Sequence, residues 1–484
     1  MRLFITSAPC GAGKTHFIQQ VIARTPGKHV VAVPTHRLIE EYLGRLGHRN
    51  VYAFRSSEDG PSVASSLNAE RQRVEADPHV VFLITHDALL RSMDHPAFDG
   101  WYLWIDEVLT LQNRATHFTP VSGILLDKIY ELKAVDGLKR SSQIVARAGA
   151  NDEPITVVDL GADTFASGLA SLHARVMSTR EPVFTALRSW ADLEANPSWY
   201  TVSQFDVLRL SPFKRIHIFA SGVTETVTYQ LLSENPDVEI TMESMPSRTW
   251  AQRAVTVHYF ADQHVLSASA LSRFANANIR LIQEWCREQP WCSPEGHFWM
   301  ANKDIKIDLP GARLSPKSHG LNFYADRRAS SVFYKSKPSL IERKLLKDSG
   351  VDEWRVIAER EYETIAQVVM RGSIRDPKSS EPFVATVYDH QQAKRLAAYL
   401  TASYGFHVDV QKVDLPGFED RQMDRRPIRK DAARSASERA ALKVRQNAEN
   451  AERMREKRWD AAGKNIPAER RRWAERQAIK AVAA

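Results

Sequence analysis

Cysteine is scarce in this chain of 484 residues: Cys10, Cys286 and Cys292 are the only three. None stands in a Cys-x-x-Cys pair or at metal-ligand spacing from a histidine. Structural zinc and a disulfide framework are therefore not expected, and a reducing, cytoplasmic setting is. Long apolar runs are missing too. No stretch reaches the roughly 18 residues that a membrane-spanning helix needs. The apolar part of the opening MRLFITSAPC is too short for a secretory signal. No internal repeat is present.

Apolar residues are plentiful, at 43% of a chain long enough for two or three domains. Charge is unevenly spread. The net charge is +8, yet residues 421–484 hold 19 Lys and Arg against 9 Asp and Glu, and the first 420 residues hold 47 against 49. The body is nearly neutral and the tail carries the whole excess, which is the footprint of a segment that meets a polyanion. The bland alternative is a solubilising tail.

Short apolar runs at 3–7, 29–33, 80–85, 101–105 and 215–220 alternate with helix-like segments at 15–24 and 37–46. This pattern predicts a parallel sheet covered on both faces. Residues 120–200 resemble an insertion of helices and loops. A second alternating region begins near Arg253, with a helix at 268–288, strands at 297–301, 331–334 and 382–388, and a helix at 353–370. From 416 onward Ala, Arg, Glu and Lys dominate. Helices are expected there at 437–459 and from Ile466-Pro467, projecting from the body because neither has a wide apolar stripe.

Ala8-Pro9-Cys10-Gly11-Ala12-Gly13-Lys14-Thr15 follows a predicted strand and opens a predicted helix. Small residues let the backbone curl so that several N–H groups face one anion, and the helix N-terminus adds partial positive charge. In such a Walker A loop Lys14 reaches the β- and γ-phosphates of ATP and Thr15 ligates Mg2+. Cys10 contributes a small side chain, open to alkylation when nucleotide is absent. The strand Trp101–Ile105 ends in Asp106-Glu107. In a P-loop ATPase the strand-end Asp holds Mg2+ and the next Glu polarises the attacking water. Strand alternation would point the two carboxylates to opposite faces.

Together these residues resemble the superfamily 2 helicases of the DEAD/DEAH type. Asp106-Glu107-Val108-Leu109 looks like their DExx box. Val30–Arg37, with Thr35 and His36, is similar to motif Ia, whose loop touches the nucleic-acid backbone. Ile84–Leu89, with Thr85, is similar to the next short motif. Ile218–Thr224 sits where the Ser-Ala-Thr motif belongs but has Ser221-Gly222-Val223 instead. His297–Lys303 looks like the strand that opens the second lobe, and Ser318–Asn322, with Gly320 and Asn322, resembles motif V. Gln367–Arg375 resembles motif VI, which sets arginines against the γ-phosphate. Here Arg371 keeps its place, Arg375 falls one residue late and Met370 replaces a common Gly.

The resemblance implies two tandem RecA-like parallel-sheet lobes with a basic helical tail. The first lobe would span 1–245, with its insertion at about 120–200, the second 246–415, and the tail 416–484. It also implies ATP and Mg2+ as cofactors and a nucleic-acid track, DNA favoured, to which the tail is an electrostatic tether. The compact form and basic tail look like helicases of plasmids or phages. Two rivals remain. A terminase-like packaging ATPase would need a nuclease lobe of convergent carboxylates, for which Asp304, Asp308 and Asp326 are the candidates. A P-loop regulator or nucleotide kinase would leave the second α/β region without a role.

Overall fold

The computed structural model describes residues 1–46, 50–55, 61–118, 124–135, 141–147, 169–178, 181–195, 198–315 and 324–421, together with Pro467. The chain divides into two compact units, Met1–Arg421 and Gln422–Ala484. The helices expected at 437–459 and from 466 lie outside the described residues. No described helix is long and apolar enough to cross a membrane.

The chain begins with β1 (Arg2–Ser7), β2 (Lys28–Val33), β3 (Val51–Ala53), β4 (Val80–Thr85) and β5 (Tyr102–Asp106). It then leaves this sheet for β6 (Gln112–Phe118), β7 (Tyr130–Ala134), β8 (Ser142–Ala146), β9 (Val183–Thr185) and β10 (Ser198–Gln204). It returns as β11 (Arg215–Ala220) and β12 (Glu239–Glu243). The first sheet has the order β12-β1-β11-β5-β2-β4-β3, and its paired strands run parallel. Successive residues of β2 go to opposite faces. Val30 and Ala32 pack with Leu3, Ile5, Phe82 and Ile84, while Val31 and Val33 meet Ile18, Ile22, Ile39 and Tyr42 from the helices Lys14–Arg24 and His36–Leu46. Both faces being buried is why these strands appear in the sequence as continuous apolar runs. Truncating a fully buried side chain such as Ile18 to Ala would cost roughly 2–5 kcal/mol.

The inserted segment holds helices at Ile124–Ile129, Ala170–Met177 and Asp192–Ala195, as the sequence suggested, together with an antiparallel sheet that it did not, β6-β10-β9-β8-β7. Its strands hide well because they are polar on their buried faces. Gln112, Ser142, Thr201 and Ser203 are buried, and Thr185 donates its hydroxyl to the Tyr200 carbonyl at 2.9 Å. Such strands lack the clean apolar alternation that marks a half-buried sheet. Trp190, Trp199, Tyr130, Ile144 and Leu172 supply a separate core.

The second parallel sheet comprises β13 (Ala254–Tyr259), β14 (His297–Ala301), β15 (Ala312–Arg313), β16 (Ala329–Phe333), β17 (Phe383–Val387) and β18 (His407–Lys412), in the order β15-β14-β16-β17-β13-β18. It opens with β13, not with residues 297–301, which come second along the chain after the helix Ala268–Glu288. Tandem parallel-sheet lobes are thus the architecture, as expected. Trp299 is buried in the second region's core with Trp285 and Trp291 packed against it. The expected 353–370 helix contains a π-helical stretch, Ala358–Tyr362. There the buried Glu361 accepts from Lys337 Nζ at 2.6 Å, Ser336 N at 2.8 Å and Gln392 Nε2 at 2.9 Å. Helix His390–Tyr404 packs over β13, β17 and β18.

Candidate active site

Parallel strands share one carboxyl edge, so the turns that leave β1, β5, β11, β2 and β4 gather there. The loop after β1 runs from Ala8 to Gly13 and feeds directly into the helix Lys14–Arg24. Gly13 caps that helix in the left-handed region, at φ 94°, and Gly11 lies at φ 77°. A side chain at Gly11 would be strained and crowded, because its Cβ would stand 3.2 Å from both Arg375 Cγ and the Trp250 ring.

Lys14 is buried, with Nζ donating to the Ala8 carbonyl at 3.2 Å and the Pro9 carbonyl at 3.4 Å, and lying 3.5 Å from Glu107 Oε1. Burial works against its charge, but the Glu107, Cys10, Asp106 and Glu363 side chains outweigh it and hold the lysine above its ordinary pKa. Asp106 ends β5 and is buried. One of its oxygens, Oδ2, accepts from Thr15 Oγ1 and from the Tyr42 hydroxyl, each at 2.9 Å. Burial first, and the Glu107 charge second, push this carboxyl up to about 6. His86, pushed down to about 4 by burial, donates through Nε2 to the Asp106 carbonyl at 3.1 Å and so fixes the strand end.

Simple alternation would turn Glu107 away from Asp106. Instead Glu107 adopts φ 72°, rare for a residue with a side chain, and its N–H bonds Phe219 O at 2.8 Å. The left-handed turn brings its carboxylate back to the side of Asp106 and Lys14, so both acids face one cleft. Strain of this kind concentrates at functional sites.

That cleft has a volume of about 290 Å³. Its first wall carries Lys14, Thr15, Asp106 and Glu107, and its second carries Gln367, Arg371 and Arg375, from the segment that precedes β17. Arg371 is buried, its Nη1 has no hydrogen-bond partner, and burial with the Arg375 charge lowers its pKa. An arginine, a lysine and a helix N-terminus lining one cleft are a donor set suited to a polyphosphate.

Other expected residues fall in different places. Thr35 lines the same cleft, and its Oγ1 accepts from Leu38 N at 3.3 Å, while His36 begins the next helix. Thr85 caps a short helix by accepting from Ala88 N at 3.2 Å. Ser221 is buried at the end of β11, 3.3 Å from the Tyr399 hydroxyl, and lines a neighbouring cavity of about 550 Å³. Gly320 and Asn322 lie outside the described residues. Cys10 is half-buried and lines the cleft, where burial pushes its thiol up to about 11.

Several residues in and beside the site were not picked out from the sequence. Arg248, in the segment between the two parallel sheets, donates through Nη1 to the Gly11 carbonyl at 2.9 Å and lines the cleft. Tyr42 and His86 position Asp106. Glu363, which burial and Glu107 raise to about 7, accepts from Gln367 Nε2 at 3.0 Å. Glu363 was findable, since it lies one helical turn before Gln367.

No protein-family model and no curated protein sequence matches the chain. Among solved structures, the chain is similar to the XPD helicase at 10% identity, over 85% of this chain and 96% of that one, with a TM-score of 0.45. It is similar to a DEAD box protein from the hyperthermophile Methanococcus jannaschii at 10% identity, over 85% and 88%, with a TM-score of 0.25. A third similarity is to the Mycobacterium smegmatis helicase Lhr bound to ssDNA and AMP-PNP, at 13% identity, over 85% and 47%, with a TM-score of 0.28.

Proposed function

We propose that this chain is an ATP-hydrolysing helicase or translocase of the superfamily 2 type, which closes two RecA-like lobes on nucleotide to move along nucleic acid, DNA in preference to RNA. In this reading the first lobe is 1–245 with its insertion, the second 246–415, and the basic tail 416–484 tethers the motor to its track. The observation that carries it is the single cleft in which Lys14, Thr15, Asp106 and Glu107 face Gln367, Arg371 and Arg375 from the other sheet.

The residues fit ATP and Mg2+. Thr15 and Asp106, already joined through Oγ1 and Oδ2, are the groups that would hold the metal, which when bound offsets phosphate charge. Lys14 would exchange its loop carbonyls for phosphate oxygens, and the N–H groups at the start of its helix would face the same anion. Glu107 accepts the proton of the attacking water. Arg371 supplies positive charge from the opposite wall as charge develops on the transferred phosphoryl group. The packaging alternative would need Asp304, Asp308 and Asp326 to converge; Asp304 instead pairs with Lys335 at 2.7 Å and Asp308 with Arg287 at 3.5 Å, both acids on the exposed surface.

The test compares ATP hydrolysis alone and with single-stranded DNA, duplex DNA or RNA. Stimulation, greatest with DNA, is expected. A rate that no nucleic acid changes would overturn the motor reading and favour a P-loop regulator.

A further inference from the structure

Two tyrosines from the second sheet's helix His390–Tyr404 grip one residue of the phosphate loop. The Cys10 N–H donates to the Tyr399 hydroxyl at 3.2 Å, and the Tyr404 hydroxyl donates to the Cys10 carbonyl at 3.0 Å. The two hydroxyls are 3.0 Å apart, and Ser221 Oγ lies 3.3 Å from that of Tyr399. Each hydroxyl has one proton, and this fixes the order. Tyr404 spends its proton on the Cys10 carbonyl, so it accepts from Tyr399. The Tyr399 oxygen is then left to accept from Cys10 N–H and from Ser221. Both phenols are held protonated, since burial pushes their pKa values far up.

The grip is rigid. Tyr404 ends its helix before Gly405 in the left-handed region, stacks on Phe406 at 5.2 Å and meets Trp250 edge-on at 4.7 Å. It also completes a pattern along the loop. The Ala8 and Pro9 carbonyls are taken by Lys14, that of Cys10 by Tyr404 and that of Gly11 by Arg248. Every carbonyl from 8 to 11 is engaged by a donor, two of them by residues beyond the first sheet.

We infer that Tyr399 and Tyr404 are positioning residues, a hydroxyl clasp through which the second lobe sets the shape and place of the phosphate loop. The clasp takes the Cys10 N–H out of the set that could face an anion, as the Pro9 carbonyl takes that of Ala12 at 3.2 Å. It also ties the loop to the lobe that carries Arg371. Its loss therefore alters the alignment of the two walls more than the grip on nucleotide. This kinetic consequence rests on the ATPase reading proposed above; the clasp itself does not.

The experiment uses the full chain with both tyrosines changed, Tyr399→Phe with Tyr404→Phe, which keeps the rings and removes only the hydroxyls. Two readouts are taken on protein whose melting temperature shows it folded. The first is the rate of backbone amide hydrogen exchange in the peptide that carries Cys10, followed by mass. The freed Cys10 N–H is expected to exchange about tenfold faster, the effect of losing roughly one buried hydrogen bond's worth of restraint; an unchanged rate overturns the clasp. The second is ATP turnover against nucleotide affinity. An approximately tenfold fall in kcat with affinity kept within about threefold is expected. Equal losses in both, or no loss in kcat, would overturn the positioning role. If wild-type protein hydrolyses no ATP while the variant's Cys10 amide exchanges faster, the ATPase reading fails and the clasp stands.

Discussion

The ammonium of Lys14 stands 3.5 Å from the Glu107 carboxylate, so the cation of the phosphate loop is paired with the acid at the end of β5. A phosphate group entering the cleft has to compete for that cation. Lys14→Ala should abolish ATP hydrolysis, because it removes the charge that faces the β- and γ-phosphates. Turnover and melting temperature are to be measured on the same preparation. A folded variant with wild-type turnover would remove the phosphate-site assignment.

The two acids should fail differently. Glu107→Gln keeps the shape of the side chain but cannot take a proton from water, so nucleotide should bind and turnover should stop. Asp106→Asn weakens the site that Thr15 and Tyr42 organise around Oδ2, and should raise the Mg2+ concentration needed for half-maximal nucleotide binding. Normal hydrolysis by both variants would show that the pair is not catalytic.

The sequence displayed the first wall of the site clearly because local rules produce it. A glycine-rich turn between strand and helix and an acid pair after an apolar strand are features of contiguous residues. The parallel sheets were legible for the same reason, since strands buried on both faces are apolar without interruption. What stayed hidden depends on contacts between distant residues. Tyr399 and Tyr404 look like ordinary core aromatics until the helix that carries them is set against Cys10. Arg248 sits in a polar segment with no periodicity. The left-handed turn at Glu107 defeats the alternation argument, because a neighbouring strand, through Phe219 O, decides that backbone. The insertion and its helices were legible, but its antiparallel sheet was not, because the buried faces of the strands hold hydrogen-bonded polar residues.

Arg371 should act on the rate rather than on binding. It lines the cleft on the wall opposite Lys14, Asp106 and Glu107, and in the proposed reading it meets developing negative charge from that side. Arg371→Ala should retain nucleotide affinity and lose roughly a thousandfold in kcat, the scale of other arginines that reach a phosphoryl group from a second element. Arg375 instead lays its stem against the Gly11 backbone, so Arg375→Ala should disturb affinity more than Arg371→Ala does. Single-turnover rates and equilibrium binding of a fluorescent nucleotide separate the two. The reverse ranking would make Arg375 the arginine that assists transfer.

Glu363 makes the stability of the nucleotide-free protein depend on pH. An unfolded chain releases this proton near the ordinary value of 4.5, whereas burial and the nearby Glu107 hold it in the folded protein until about 7. The folded state binds the extra proton between those values, so stability is full below about 4.5 and falls as pH rises through 7. Glu363→Gln cannot ionise and keeps an amide beside Gln367. Its free energy of unfolding should exceed that of wild type at pH 8, by a margin on the order of 2 kcal/mol, and the gap should close toward pH 4.5. A gap that stays constant with pH would mean the carboxyl titrates as it does in water.

The tail should govern attachment to nucleic acid rather than hydrolysis. Residues 421–484 hold 19 basic and 9 acidic side chains, while the rest of the chain, 47 against 49, has no overall attraction for phosphate. Each phosphate contact releases condensed counterions, so binding through such a segment weakens with salt by a slope of roughly 0.7 to 0.9 per contact. The segment has no motif that reads base edges, so its contribution should be the same for any sequence. Truncation after Arg421 is the clean variant. It keeps Asp420, whose carboxylate accepts from the N–H groups of Asp262 and Gln263 and meets Lys412 at 3.2 Å, so the end of the second sheet stays anchored. The truncated protein should bind DNA more weakly and with a flatter dependence of log affinity on log salt. Its hydrolysis without nucleic acid should be preserved, because every residue placed in the cleft precedes Asp376. If the two slopes coincide, the tail does not touch nucleic acid, and its charge serves solubility or a protein partner instead.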